Sequence, residues 1–158
     1  MTKPKTKGVL TGVAGEYFVA AELTARGYIA SITLKNTKGI DMLVSNHDAS
    51  KSIGIQVKTN NNVKRKAWIL NEKAERYYEA NLFYVFVSLK NIGERPEYYI
   101  VPSKEVAEFV KKSHEDWKKT PGKRGQQHQE TPVRLFKITD DIKENNWEAI
   151  ENSLKVNS

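Results

Sequence analysis

The longest uninterrupted apolar run in the chain is Leu82–Val87, which contains six residues. A membrane-spanning helix needs about 20 predominantly apolar residues, so this run is too short to cross a bilayer. With the two residues that follow, it instead predicts the most apolar strand of the chain, at 82–89, before a turn at Asn91–Pro96. The apolar run at 82–87, which most constrains the fold, is therefore predicted to be a strand buried in a sheet.

Apolar periodicity and turn residues divide the remainder of the chain into helices and strands. A first helix is predicted from about Gly12 to Arg26, where Gly27 ends it. The further predicted elements are strands at 28–34, 40–44 and 53–59, a helix at 71–81, a strand at 97–101, a helix from Ser103 to about Lys112, a long mobile loop at 114–131, a strand at 133–138, and a last helix that Asp140 or Asp141 caps and that ends near Leu154. This order predicts a mixed α/β domain.

The first helix has an apolar face on which one acidic residue stands out. At 100° per residue, one broad face carries Val13, Tyr17, Ala20, Ala21 and Leu23. Glu16 projects on the flank of this face, whereas Glu22 and Arg26 fall on the opposite side. Glu16 is therefore either a rim residue or a carboxylate directed into a site.

Composition narrows the class of protein. The chain has 158 residues, no cysteine, and 26 Lys and Arg against 19 Asp and Glu, for a net charge of +7. This length corresponds to one domain, and the missing cysteine excludes disulfides, thiolate zinc sites and cysteine nucleophiles. The excess of basic over acidic side chains favours nucleic acid as a partner. The alternative is a solvated lysine surface. Because no apolar segment follows Lys3, Lys5 and Lys7, no signal peptide is predicted, and we expect a cytoplasmic protein.

Three polar residues on two predicted strands can share one location. Gln56 and Lys58 point to the same face because side chains alternate along a strand. If strands 40–44 and 53–59 form a hairpin centred near residues 48–49, Asp41 lies opposite Gln56, and Lys58 is its diagonal neighbour. A slip of one residue would reverse this facing.

The residues Gly15-Glu16, Gly39-Ile40-Asp41 and Gln56-Val57-Lys58 together resemble the PD-(D/E)xK nuclease superfamily. Its members include restriction enzymes, Holliday-junction resolvases and one type of homing endonuclease. The resemblance covers about residues 12 to 89. It implies a restriction-endonuclease-like core, with a central mixed sheet of four to five strands flanked by helices.

The resemblance also implies the roles of the site residues. Asp41 would be the central ligand of Mg²⁺ or Mn²⁺, with Gln56, the backbone carbonyl of Val57 and Glu16 as further ligands. Lys58 would stabilise charge on the scissile phosphate or help to orient and deprotonate the attacking water.

Two positions depart from the family pattern. Gln56 stands where most members have Asp or Glu, so the carboxylate count falls from three to two. A glutamine carbonyl can bind a metal but brings no negative charge, and metal binding should weaken. Ile40 replaces the proline that precedes the aspartate, which changes nothing chemically.

Each of these residues also has a structural interpretation. Asp41 follows a glycine and could be a turn residue, and Lys58 could be an edge-strand lysine that prevents aggregation. The two basic clusters that could contact nucleic acid are Lys64, Arg65 and Lys66 after the third strand, and Lys118, Lys119, Lys123 and Arg124 in the predicted mobile loop. For both clusters the alternative is a solvated charge run.

From these residues we expect a metal-dependent endodeoxyribonuclease. Residues 1–11 would be a basic flexible arm and 12–158 a single nuclease-like domain, with its catalytic core at about 12–89 and a C-terminal extension at about 90–158. A homodimer or higher oligomer is expected, since cutting both strands needs two copies. The alternatives are a catalytically weak or inactive DNA-binding module of the same fold, or a basic protein-interaction or RNA-binding domain.

Overall fold

The computed structural model describes residues 8–34 and 39–155, which contain three α-helices, one 3₁₀ turn and seven strands. The expected arm lysines Lys3, Lys5 and Lys7 lie outside these residues. In chain order the elements are α1 (Gly8–Ala25), β1 (Ile29–Ile32), β2 (Met42–Ser45), β3 (Ser52–Asn60), β4 (Ala67–Asn71), a 3₁₀ turn (Glu72–Glu75), β5 (Leu82–Ser88), β6 (Glu97–Pro102), α2 (Ser103–Lys119), β7 (Val133–Lys137) and α3 (Glu148–Leu154).

Five strands form one mixed sheet in the order β1-β2-β3-β5-β6. Strands β3 and β5 are parallel, and the other neighbours are antiparallel. A separate two-stranded sheet pairs β4 with β7. The predicted mixed sheet flanked by helices is therefore confirmed.

Both faces of the large sheet are covered, which explains why all seven residues of β5 are buried. On one face, Val57 and Val85 pack with Val19 of α1 and Trp147 beside α3. On the other face, the two-stranded sheet and α2 cover a second cluster that is rich in aromatic side chains. That cluster contains Trp68, Tyr84, Phe86, Tyr99 and Phe136. The alternation of β3 therefore directs Gln56 and Lys58 toward this second face.

Helix α1 begins four residues earlier than predicted and buries a different face. Its buried residues, Thr11, Gly15, Val19 and Leu23, follow a spacing of four. Tyr17, which was expected in the core, is exposed. The prediction failed because α1 is apolar on nearly every side, so its periodicity did not identify the packed face.

The helix predicted at 71–81 is wrong. Strand β4 occupies 67–71, with Trp68 and Leu70 buried and Ile69 exposed. The 3₁₀ turn follows directly, and the side chain of Asn71 caps it by accepting a hydrogen bond from the N–H of Lys73. Strand β4 forms because β7, more than 60 residues away in sequence, pairs with it.

Helix α2 is longer than predicted, so the expected loop at 114–131 begins only after Lys119. Trp117 stacks between His114 and His128, at centroid distances of 5.3 and 4.1 Å, and this stack holds the last turn. No helix in the described part of the chain is both long and apolar enough to cross a membrane.

The last helix starts at Glu148 rather than at Asp140 or Asp141. The Asn146 side chain donates to the carbonyl of Ile100 and accepts from its N–H, both at 2.8 Å. These two bonds hold the preceding segment as a turn against β6 instead of a helix.

Candidate active site

The predicted register of the β2–β3 hairpin is confirmed, and Asp41 lies one residue beyond its last pair. Met42 pairs with Ile55 and Val44 with Ile53, and the N–H of Asp41 donates to the carbonyl of Ile55 at 2.8 Å. Asp41 precedes the first residue of β2, so its side chain lies where the β2–β3 pairing ends.

The Asp41 carboxylate, instead of a backbone carbonyl, accepts the next hydrogen bond along this edge of β3. Its Oδ2 accepts from the N–H of Val57 at 2.7 Å. The N–H and C=O of one strand residue point to the same edge, so the Val57 carbonyl also faces the Asp41 side of β3. The Asp41 carboxylate and the Val57 carbonyl thus lie on the same edge of β3, next in sequence to Gln56.

Gln56 and Lys58 line a cleft of about 350 Å³ on the aromatic face of the sheet. Tyr84 of β5 lies beside Gln56 in the sheet and lines the same cleft. The opposite wall consists of Leu70, Asn71, Lys73, Ala74 and Tyr77 from β4, the 3₁₀ turn and the residues after it. The cleft therefore runs between the two sheets.

Tyr84 is a buried neighbour of the site. Desolvation, with smaller contributions from Tyr77 and the Asp41 charge, raises the pKa of Tyr84 to about 12. Its hydroxyl therefore stays protonated at neutral pH, and it can donate a hydrogen bond but does not act as a base.

Tyr77 sets the position of the turn before Asp41. Gly39 has φ +67°, and its Cα lies against the Tyr77 ring so closely that a Cβ would overlap with it. The sequence prediction included neither Tyr77 nor Lys73, because both were assigned to a helix that does not form. The signal that could have placed them is the alternation of Trp68 and Leu70, which marks β4.

The structure places Glu16 on a different element from the other three residues. Gly15 packs on the Thr59 side chain, which points to the face opposite Gln56 and Lys58. Glu16 therefore extends from the helix that covers that opposite face, one residue along from this contact. Gln56 and Lys58 line one cleft, and the Asp41 carboxylate is bound to the N–H of Val57, the residue between them. Glu16 lies on α1, on the other side of the sheet.

The donor set near Asp41 is poor in negative charge. Among residues 8–34 and 39–155, no group of three or more His, Cys, Asp or Glu side chains is arranged to hold a metal ion. The oxygen donors at the strand end are the Asp41 carboxylate, the Gln56 amide and the Val57 carbonyl. All three are hard ligands, which suits Mg²⁺ or Mn²⁺ and not a thiolate-binding metal.

The first basic cluster follows β3 directly, and its members differ in exposure and in their ion pairs. Lys64 and Arg65 are exposed. Lys66 forms an ion pair with Glu97, its Nζ lies 5.4 Å from the centroid of the Tyr99 ring, and burial lowers its pKa. Because Glu97 already pairs with its ammonium, Lys66 is the weakest of the three candidates for a phosphate contact.

Asn60 shapes the loop that carries this cluster. Its amide donates to the carbonyls of Arg65 and Ala67, each at 3.0 Å, and its oxygen accepts from Ser88 at 2.7 Å. The loop is therefore closed by its own hydrogen bonds.

The second basic cluster lies at the end of α2 and in the loop after it. Lys118 belongs to the helix and donates to Glu130 Oε2 at 2.6 Å. Lys119, Lys123 and Arg124 are exposed. The residues that line the cleft do not include this cluster.

Comparison with known proteins supports the fold. A solved structure described as a bacterial homing endonuclease, I-Ssp6803I, matches with a TM-score of 0.55 and 12% sequence identity, over 93% of this chain and 95% of that chain. The fold is similar to that of a homing endonuclease. No family model and no curated protein sequence matches the chain. The similarity in fold therefore extends along nearly the full length of both chains.

Proposed function

We propose that the protein is a divalent-metal-dependent endonuclease that hydrolyses phosphodiester bonds in DNA through a PD-(D/E)xK-type site. The observation that carries this proposal is the hydrogen bond from the Val57 N–H to the Asp41 carboxylate, because Val57 is the strand residue between Gln56 and Lys58. The likeness in fold to a homing endonuclease supports it. We propose that it acts on DNA inside the cell.

The hydrogen bond to Val57 orients the Asp41 carboxylate at the end of the β2–β3 ladder. Asp41, the Gln56 amide oxygen and the Val57 carbonyl would hold the metal, with Glu16 as a second carboxylate from α1. A bound metal ion supplies Lewis-acid stabilisation of the phosphate and lowers the pKa of a bound water. Because Gln56 brings no charge, we propose weaker metal binding than at a site with three carboxylates.

Lys58 would act on the phosphate from the same face as Gln56. Its ammonium stands in the cleft and stabilises the negative charge that develops on the phosphate oxygens. Lys73 lines the same cleft from the 3₁₀ turn, so cationic side chains stand on both of its walls. Lys64 and Arg65 extend the basic surface past the end of β3 and would contact the DNA backbone.

The proposal is tested by incubating the purified protein with Mg²⁺ or Mn²⁺ and a panel of linear, supercoiled and branched DNA. We expect cleavage that EDTA abolishes and that falls at least about 100-fold in Asp41→Asn and Lys58→Ala. The matched control is Asp140→Asn, since Asp140 is an exposed aspartate outside the cleft. Equal behaviour of the wild type and Asp41→Asn on every substrate would contradict the proposal.

A DNA-binding module without activity is the second candidate. The small number of carboxylates at the strand end favours it. Calorimetry with Mn²⁺ separates the two candidates, because the nuclease binds Mn²⁺ and loses this binding in Asp41→Asn. The module would bind DNA with the same dependence on salt but without a metal requirement.

A further inference from the structure

The cleft between the two sheets has an apolar and aromatic lining with one lysine on each side. The large sheet contributes Gln56, Lys58 and Tyr84, and the opposite wall contributes Leu70, Asn71, Lys73, Ala74 and Tyr77. Sites for small ligands have this composition, in which apolar and aromatic side chains surround a few polar groups that fix the orientation of the ligand. The lining therefore suits a ligand with a flat, largely apolar part and a negatively charged part.

The volume of the cleft limits what can enter it. It is about 350 Å³, within the range of about 300–1,000 Å³ that is usual for small-ligand sites. Double-stranded DNA is far larger, since its major groove alone is about 12 Å wide. A base pair would have to separate before one of its nucleotides could reach the lining. The occupant that fits both the volume and the lining is a single unpaired nucleotide.

Two tyrosines of the cleft can recognise a base. The Tyr77 ring is half-buried, and its contact with Gly39 restricts its movement. An aromatic ring that is fixed before binding loses little conformational entropy when a base stacks on it. Removal of such a stacking partner weakens the binding of nucleic acid by about 5- to 150-fold per base. Tyr84 lines the cleft from the large sheet, and its hydroxyl can donate a hydrogen bond to a base.

Two lysines of the cleft can hold the phosphate of this nucleotide. Lys58 on β3 and Lys73 on the 3₁₀ turn line opposite walls. Lys58 is next in sequence to Val57, whose N–H binds the Asp41 carboxylate. A phosphate between the two lysines would therefore lie beside the proposed metal site.

Further cations favour a nucleotide within a DNA strand over a free nucleotide. Lys64 and Arg65 follow β3 in sequence and are exposed. They can bind the phosphates next to the one in the cleft, and each such contact adds affinity that depends on salt. A free nucleotide has no neighbouring phosphates and gains nothing from these two residues.

We propose that the cleft binds one unpaired nucleotide of DNA, with its base against Tyr77 and its phosphate between Lys58 and Lys73. The inference rests on the proposed function, because this phosphate would be the one that the site at Asp41 cleaves. A paired base must leave the stack to enter such a pocket, and the cost in free energy is least for a base that is already unpaired. The protein should therefore prefer DNA with an unpaired nucleotide to fully paired DNA of the same sequence.

The first test measures the affinity of the wild-type protein for three labelled duplexes by fluorescence anisotropy, in EDTA so that the DNA stays intact. The duplexes share one sequence and are fully paired, interrupted by a one-nucleotide bulge, or interrupted by the same bulge without its base. We expect the bulged duplex to bind at least about tenfold more tightly than the paired one. The bulge without a base should bind like the paired duplex, because it offers nothing to stack on Tyr77.

The outcomes separate this inference from the proposed function. Equal affinities for the three duplexes would overturn the inference and leave the nuclease proposal standing. Equal binding of the two bulged duplexes would also overturn it, since the flexibility of the DNA and not the base would then be recognised. A preference for the bulge that needs its base, without cleavage in Mg²⁺ or Mn²⁺, would support the inference and contradict the nuclease proposal alone.

The second test changes the aromatic ring. Tyr77→Ala should reduce the preference for the bulged duplex about fivefold or more, whereas Tyr77→Phe, which keeps the ring, should retain it. The matched control is Tyr78→Ala, since Tyr78 is the next residue, is 46% exposed and is not among the residues that line the cleft. A Tyr77→Ala variant with an unchanged circular dichroism spectrum and the full preference for the bulge would overturn the proposal.

Discussion

Gly15 of α1 packs directly on the side chain of Thr59, and this contact joins the helix to the end of β3. A Cβ at position 15 would overlap with the Oγ1 of Thr59. Gly15 is therefore required by the close approach of the two elements, and not by its backbone conformation. The same contact sets the distance from α1 to the strand that carries Gln56 and Lys58.

Gly15→Ala should destabilise the fold, because the methyl group must push α1 away from β3. Overpacking of this kind lowers the free energy of unfolding by about 1–3 kcal/mol. Urea denaturation measures the change. The control is Gly12→Ala in the same helix, where a Cβ meets no atom within 4 Å, and which should stabilise by about 0.5–1 kcal/mol. A destabilisation of the same size in both variants would contradict this packing.

Gly39→Ala combines two penalties next to Asp41. The residue has φ +67°, which costs a residue with a Cβ about 1–2 kcal/mol, and the new methyl group overlaps with the Tyr77 ring. Gly93→Ala is the matched control, because Gly93 has φ +88° but open space around it. Thermal denaturation should show a clearly larger loss for Gly39→Ala, and the difference reports the contact with Tyr77.

Gln56→Glu should strengthen metal binding, because it adds a negative charge to the proposed metal site. We expect an increase of about tenfold in Mn²⁺ affinity by calorimetry, corresponding to about 1.4 kcal/mol. Gln129→Glu in the exposed loop after α2 is the control and should leave the affinity unchanged. A Gln56→Glu variant with no gain in affinity would argue against a metal at this strand end.

Glu130 should make the stability of the fold depend on pH below about pH 4.5. Hydrogen bonds from Lys118 and His114 lower the pKa of Glu130 to about 2 from an ordinary value of 4.5. Because the folded-state pKa lies below the unfolded-state value, the stabilisation is present above pH 4.5 and is lost as the pH falls toward 2. The melting temperature of Glu130→Gln should therefore change less with pH in this range than that of the wild type. Glu115→Gln serves as the control, since Glu115 is an exposed residue of α2, and it should follow the wild type.

The local sequence pattern was sufficient to predict the strand pair next to Asp41 and Gln56. A short hairpin and the two-residue alternation of side chains leave few registers, and the pairing of Met42 with Ile55 agrees with the predicted one. The apolar run at 82–87 likewise identified β5. Both predictions depend on neighbours close in sequence or on a strand buried on both faces.

Tertiary structure alone decided the packed face of α1 and the second wall of the cleft. A helix that is apolar all round can pack on several faces, and the fit of Gly15 on Thr59 selects one of them. Lys73 and Tyr77 reach the cleft because β4 pairs with β7, and that pairing joins segments separated by more than 60 residues. Sequence periodicity reports which residues prefer burial, whereas the partner that buries them depends on the packing of the whole chain.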